Sequence, residues 1–243
     1  MEEEILEEFK RKIKDLNAQN IIKFSFNYFG EGNIALASSM SAEDQVLTDM
    51  ILKYNGNALI FTIDTGRLHQ ETYDVIDRTR KKYGIKIQVL FPEASNIERM
   101  VNEHGANLFY QSVDLRRECC NVRKVMPLKR KLSALKAWIC GVRRSQSITR
   151  NNVTCIEWDY KFKLFKINPI FNWTEEEVWE YIRENNIPCN ALHGQGYPSI
   201  GCAPCTRAVK PGEDIRSGRW WWESPEYKEC GLHISKGDKN EQS

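Results

Sequence analysis

Between residues 33 and 92 the chain switches period repeatedly, and that alternation restricts the fold more than any other feature. "NIALASS" (33–39) is a short apolar run with the pattern of a buried strand. "MSAEDQVLTDMILKY" follows it and spaces Val46, Leu47, Met50 and Ile51 at helical intervals. "NALIFTID" (57–64) is a second strand, "RLHQETYDVIDRTRKKYG" a second helix that stops at Gly84, and "IKIQVLFP" (85–92) a third strand. Parallel strands need a crossover between them, and a helix packed back on the sheet supplies it with a fixed hand. The expected class is therefore α/β, a doubly wound and mostly parallel sheet.

Further elements extend this frame. "LKAWICGV" (135–142) reads as another strand, placed after a helix that carries Cys119 and Cys120. "NVTCIEWD" and "FKLFKINPI" read as a hairpin, and "NWTEEEVWEYIRENN" as a helix opened by a capping box of Thr174 and Glu177. From 187 onward glycine and proline are dense and regular pattern fades. With no internal repeat and no linker, one domain is expected over 1–243, its core at about 20–210 and a C-terminal segment at about 211–243.

Charge is nearly balanced, 35 basic against 33 acidic residues, so an anion site must come from local clustering and a nucleic-acid partner is disfavoured. "MEEEILEEFKRKIKDL" is an amphipathic helix without the basic start and apolar stretch of a secretion signal, and no 18 apolar residues run together. A cytoplasmic protein with no membrane partner is expected. In a reducing compartment the eight cysteines point to ligands, nucleophiles or core residues rather than disulfides. Cys140, Cys155 and Cys189 stand in apolar contexts and read as core. Cys119, Cys120, Cys202, Cys205 and Cys230 stand among charges, glycines and prolines.

In a doubly wound sheet, ligands bind beyond the carboxyl ends of the strands. Two turns fall there. "SSMSAED" (38–44) offers hydroxyls and backbone N–H groups to an anion, and "DTGR" (64–67) ends the second strand. "RRECCNVRK" and "GCAPC" together supply four thiols in the pattern C-C…C-x-x-C, which zinc or a [4Fe–4S] cluster could take. The adjacent pair favours a cluster, because neighbouring cysteines on a helix can point at different irons, while a single zinc prefers ligands on a turn. Around them lie Arg116, Arg117, Arg123, Lys124, Arg143, Arg144 and Arg150, with Arg216 and Arg219 eleven and fourteen residues after Cys205. Such groups suit phosphate or sulfate oxygens. Cys230, in "KECGLHIS" near Lys228 and His233, is placed to be a nucleophile.

"SSMSAEDQVLTDM", "FTIDTGR", "CCNVRK", "GVRRSQSITR", "GCAPCTR", "RSGRWWW" and "ECGLH" occur in the order found in assimilatory adenylyl-sulfate reductases of the phosphoadenylyl-sulfate reductase family, which this chain resembles from about residue 20 to 235. The resemblance implies an ATP-pyrophosphatase-like sheet, a [4Fe–4S] cluster, and reduction of adenosine 5′-phosphosulfate (APS) to sulfite and AMP. It implies cluster ligands Cys119, Cys120, Cys202 and Cys205, and Cys230 as nucleophile. It assigns anion binding to Lys124, Arg150, Arg216 and Arg219, and the nucleotide to Ser38, Ser39, the backbone of Ile63 and Gly141, with His233 beside the substrate. The electron donor it implies is thioredoxin or glutaredoxin, and this must be a separate protein, since the chain has no second C-x-x-C. One departure stands out: no glycine lies between Ser38 and Asp44, where Met40 and Ser41 occupy positions usually small. The 3′-phosphorylated substrate remains a rival, alone or in dual use. More remote are an ATP-dependent cluster-bearing tRNA thiolase, expected to keep a glycine-rich S-G-G-x-D-S loop, and a zinc module on nucleic acid. Homo-oligomerisation is left open.

Overall fold

The computed structural model describes residues 2–146 and 150–224. Its six strands are β1 (Ile34–Ala37), β2 (Ile60–Ile63), β3 (Gln88–Leu90), β4 (Ala137–Ile139), β5 (Ile156–Asp159) and β6 (Leu164–Ile167), in the order β3-β2-β1-β4-β6-β5. All neighbours pair in parallel except β5, which runs antiparallel to β6 as the outer arm of the expected hairpin. The α/β class and the mostly parallel sheet are as the alternation required.

Period two along the strands divides the core. Ile34 and Leu36 of β1 and Ala137 and Ile139 of β4 face one apolar layer. Ala35 and Trp138, the residues between them, face the other. The first layer is covered by α1 (Glu2–Ile13), α2 (Ala18–Phe29), α3 (Ala42–Tyr54), α4 (Gln70–Tyr83) and α8 (Glu175–Glu184). Leu128 and Leu132 of α7 (Met126–Leu132) cover the second. The remaining helices, α5 (Ala94–His104) and α6 (Val113–Cys120), build a third, smaller cluster around Met100, Leu108 and Trp220.

Helix α2 adds to the elements expected from periodicity. It buries Ile21, Ile22, Ser25, Phe26 and Phe29, starts with the Asn17 side chain accepting from Asn20 N–H, and ends at Gly30 with φ 84°. Thr174 and Glu177 form the capping box of α8 as read from sequence. Among the described residues no helix is long and apolar enough to cross a membrane.

The topology places a crevice. From β1 the chain goes outward to β2 and β3, then returns to β4 on the other side of β1. The connections therefore part between the carboxyl ends of β1 and β4, which is where such sheets bind ligands.

Candidate active site

A cavity of about 260 Å³ opens at that crevice. Ser38 and Ser39 line it from the end of β1, Ile63 from the end of β2 and Gly141 from the end of β4. Lys124, Arg150, Arg216 and Arg219 bring cationic groups to the same cavity. All eight described residues read from the sequence as substrate-binding thus share one space.

The backbone of Ile63 is aimed by strand alternation. Leu59 and Phe61 turn their carbonyls toward β1, where Leu36 and Ser38 donate to them at 3.0 and 2.8 Å. Ile63, two residues further on, has the same orientation, but the last β1–β2 pair is Ala37 with Phe61. Its N–H and C=O therefore point past the end of β1 toward the crevice.

The loop after β1 differs from the anion cradle expected of it. Ser38 N–H is committed to the sheet. Ser39 donates from its backbone N–H (2.6 Å) and its hydroxyl (2.5 Å) to Asp44 Oδ2, and Met40 N–H donates to Ser38 Oγ at 3.2 Å. The loop's polar groups thus hold the loop itself. Donors that the loop does not use for itself include the first-turn N–H groups of α3, which have no carbonyl four residues back. The missing glycine is also explained: Met40 takes the left-handed turn itself, with φ 63°. Burial of its side chain in the core offsets that strain.

Asp44 ties the loop to β4 by also accepting from Gly141 N–H at 3.1 Å. Any side chain at 141 would be obstructed, because a Cβ would come within 2.7 Å of Asp44 Oδ1 and of Glu43 Cβ. Burial pushes the Asp44 carboxyl up from 3.8 to about 6, against the hydrogen bonds from Ser39 and Gly141 that favour its ionised form. The folded-state value lies above the unfolded one, so the folded chain binds more protons in between. Ionising Asp44 therefore costs stability, a cost absent below the ordinary carboxylate range and complete above about pH 6. Relative to Asp44→Asn, the urea midpoint of the wild type should fall between pH 4 and pH 6.5, by an amount equivalent to up to about 3 kcal/mol. Parallel midpoints across that window would show that Asp44 is not the group held neutral.

The second cavity is smaller, and all four candidate ligands, Cys119, Cys120, Cys202 and Cys205, line it. Cys119 and Cys120 end α6, and the helix then widens into a π turn, Asn121–Val125, before α7. Wide turns of this kind recur at functional sites. Here it carries Arg123 and Lys124, and Arg123 Nη1 donates to Thr65 O at 2.7 Å. Thr65, in the "DTGR" turn, sets its hydroxyl 3.2 Å from Cys202 Sγ. Ala203 N–H donates to Arg67 O at 2.8 Å, so the turn after β2 also fixes the C-x-x-C segment. Burial raises the Cys119 thiol, and pushes Cys205 up to about 12, with the charges of Lys124 and Arg219 working the other way on Cys205. Among the described residues, no three His, Cys, Asp or Glu side chains close on a point as the ligands of one ion do.

Lys124, Arg219 and Trp220 line both cavities and so form the wall between them. Trp220 is fully buried with φ 41°, and two guanidinium groups stack on its ring, Arg116 at 4.8 Å and Arg219 at 4.7 Å from the centroid. Arg116 in turn makes a bidentate ion pair with Glu223, at 2.9 and 2.8 Å, with both side chains almost wholly buried. Arg219 donates weakly to Ser199 Oγ (3.3 Å) and Ile200 O (3.4 Å), and a Cβ on Gly201 would come within 2.6 Å of its Cζ. Gly201, in "IGCAPC", is what gives that guanidinium its seat.

Several cations read as anion binders have other work. Arg116 pairs with Glu223, Arg117 with Asp114, Arg143 with Glu43, and Arg144 donates to Val153 O. Cys140 and Cys155 are buried and Cys189 half-buried, as expected of core cysteines. Cys230 and His233 lie outside the described residues. Sequence reasoning missed Asp44 as the loop's anchor, and Thr65, Gly201 and Trp220; their signals were the acidic residue closing "SSMSAED", the "DTGR" turn, and glycine and tryptophan beside a cysteine or arginine already singled out.

Residues 33–208 match the family described as phosphoadenosine phosphosulfate reductase domain. An adenosine 5′-phosphosulfate reductase of Burkholderia cepacia is 51% identical over 202 residues, covering 83% of this chain and 81% of that one. Its counterpart in Pseudomonas aeruginosa (strain LESB58) is 48% identical over 227 residues, 91% of this chain and 84% of its own. Among solved structures, the phosphoadenylyl-sulfate reductase of Candida auris, in a phosphate complex, superposes with a TM-score of 0.70 at 26% identity, covering 84% of this chain and 95% of that one.

Proposed function

The chain belongs to the phosphoadenosine phosphosulfate reductase family, among the adenosine 5′-phosphosulfate reductases, and from that premise we propose how its residues divide the reaction. It is an oxidoreductase of assimilatory sulfate reduction that converts APS to sulfite and AMP. One observation carries the assignment of roles: Lys124 and Arg219 stand in the wall shared by a nucleotide-sized cavity and a cavity lined by four cysteines.

AMP occupies the crevice between β1 and β4, with Ile63 offering backbone groups to the base and the first turn of α3 near the phosphate. The sulfonate lies toward Lys124, Arg216 and Arg219. Its negative charge would repel a thiolate, so these cations neutralise it, each charge-assisted contact contributing about 1.5–3 kcal/mol. Cys230 attacks sulfur in line with the departing AMP; the S–S bond forms as the S–O bond breaks, and the electron pair leaves on the AMP phosphate oxygen. The product on the enzyme is an S-sulfocysteine. Thioredoxin, or a glutaredoxin, then releases sulfite by the logic of thiol–disulfide exchange. A reducing cytoplasm suits both the free thiols and that donor.

The donor set fits a [4Fe–4S] cluster held by Cys119, Cys120, Cys202 and Cys205. In a four-cysteine zinc site every sulfur sits about 2.3 Å from one ion, whereas each ligand of a cubane takes its own iron. All four thiols line one cavity, and the adjacent pair at the end of α6 can each take a different iron, which supports the second arrangement. When bound, the cluster would supply a compact, redox-capable anion in the cavity that Lys124 and Arg219 also line.

Gly201→Ala should lower kcat/KM for APS tenfold or more, with iron content unchanged, because it displaces the Arg219 guanidinium. Combined with Arg219→Ala it should add little further, as for two changes acting on one group. Full additivity would separate Gly201 from Arg219. The proposal as a whole is tested on anaerobically purified protein by measuring sulfite released, with thioredoxin, from APS and from its 3′-phosphate side by side. Turnover of APS is the expected result, and no sulfite from APS would overturn it.

A further inference from the structure

Beside the cysteine cavity the chain leaves a cluster of aromatic rings facing water. Tyr110 is 46% exposed and Trp221 39% exposed. Trp222, half-buried, joins them, its ring centroid 4.5 Å from that of Tyr110 and 4.7 Å from that of Trp221. Phe109 lies buried beneath, 4.6 Å from Tyr110, and carries the Arg67 guanidinium 5.3 Å above its ring. The shelf is tied to the C-x-x-C segment, because the Tyr110 hydroxyl donates to Pro204 O at 2.9 Å. Among the described residues the other exposed large apolar side chains fall on separate elements: Tyr54 ends α3, Phe91 follows β3, Met126 starts α7 and Tyr160 follows β5. Contiguous exposed aromatics mark interaction sites, and tryptophan, tyrosine and arginine are the residues that dominate binding at interfaces.

We propose that this shelf docks the electron donor, a protein carrying an exposed dithiol. The inference rests on the reading of Cys230 as the sulfonated residue. What selects this occupant is the position of the shelf along the chain. Trp222 lies eight residues before Cys230. The six residues from Ser224 to Cys230 reach at most about 22 Å however they run, while a chain of this length folds to a body roughly 45 Å across. A donor on the shelf therefore has the cysteine within reach, and a donor on much of the opposite surface does not. The donor's step balances without other reagents. Its first thiolate attacks Cys230 Sγ, forming a mixed disulfide and expelling sulfite with the electron pair of the S–S bond. Its second thiolate resolves that disulfide, returning Cys230 as a thiolate and leaving the donor oxidised by two electrons.

The test uses the full-length, iron-loaded enzyme and Trp221→Ser, with Trp221→Phe as the variant that restores aromatic area. Loaded with APS and no donor, all three should form the same adduct, and dithiothreitol should discharge it at the same rate. Discharge by thioredoxin should fall tenfold or more in Trp221→Ser and recover in Trp221→Phe. A thioredoxin rate within twofold of wild type in Trp221→Ser overturns the shelf. Calorimetry of thioredoxin binding to wild type and Trp221→Ser probes the contact independently of the chemistry: weaker binding by the variant is expected, and equal affinities overturn the shelf. An absence of adduct in the wild type would instead overturn the role of Cys230.

Discussion

Cys230→Ser should retain its iron, bind APS and release no measurable sulfite, a loss of about a thousandfold or more for removal of a covalent nucleophile. A serine hydroxyl is scarcely ionised at neutral pH, and electrophilic sulfur prefers a thiolate. The other cysteines outside the cluster set cannot take its place. Cys140 lines the nucleotide cavity, yet burial pushes its thiol up to about 12 and it donates to Asn168 Oδ1 at 3.1 Å. Cys155 is likewise pushed up to about 12, and Cys189 to about 11, by burial. At pH 8 a thiol with a value of 12 is ionised in about one molecule in ten thousand. Wild-type enzyme given APS without donor should gain about one sulfonate per chain, roughly 80 Da, as a trapped covalent intermediate. Peptide mapping should place it in "ECGLH". An adduct on Cys140 would move the nucleophile into the crevice wall.

What the sequence made legible was local or periodic. The alternation from 33 to 92 specified parallel strands, and the carboxyl ends of those strands then specified the crevice that Ser38, Ile63 and Gly141 line. The cysteine pairs were legible because residue type and spacing carry their chemistry. What was not legible depends on which partner each group takes in the folded chain. Arg116 and Arg219 look equivalent as cations, but Arg116 is consumed by Glu223, 107 residues away, while Arg219 lines the substrate cavity. The loop after β1 has hydroxyls and N–H groups in its sequence, but its pattern alone does not tell whether those of Ser39 meet a ligand or, as they do, the Asp44 that closes the motif. Nor does a missing glycine forbid a left-handed turn when a buried methionine can bear the strain.

Iron content is the sharper test of the site, because its readout does not depend on turnover. Anaerobically purified protein should be brown, with about four irons per chain. Cys120→Ser should be colourless, with under about one iron per chain, and Cys155→Ser should keep its iron. The contrast follows from where the two thiols lie. Cys120 shares a cavity with Cys119, Cys202 and Cys205, and four thiols there can each lose a proton to a metal. Cys155 sits in the main apolar layer and lines neither cavity, so a serine there costs about 1–3 kcal/mol for a buried hydroxyl and leaves the cluster alone. Burial raises Cys119 and Cys205 above the ordinary thiol range in the metal-free chain. Their protons must leave as iron binds, so reconstitution should fall steeply as pH is lowered. A colourless wild type carrying one zinc per chain would overturn the cluster assignment, and with it the electrostatic account of how the two cavities work together.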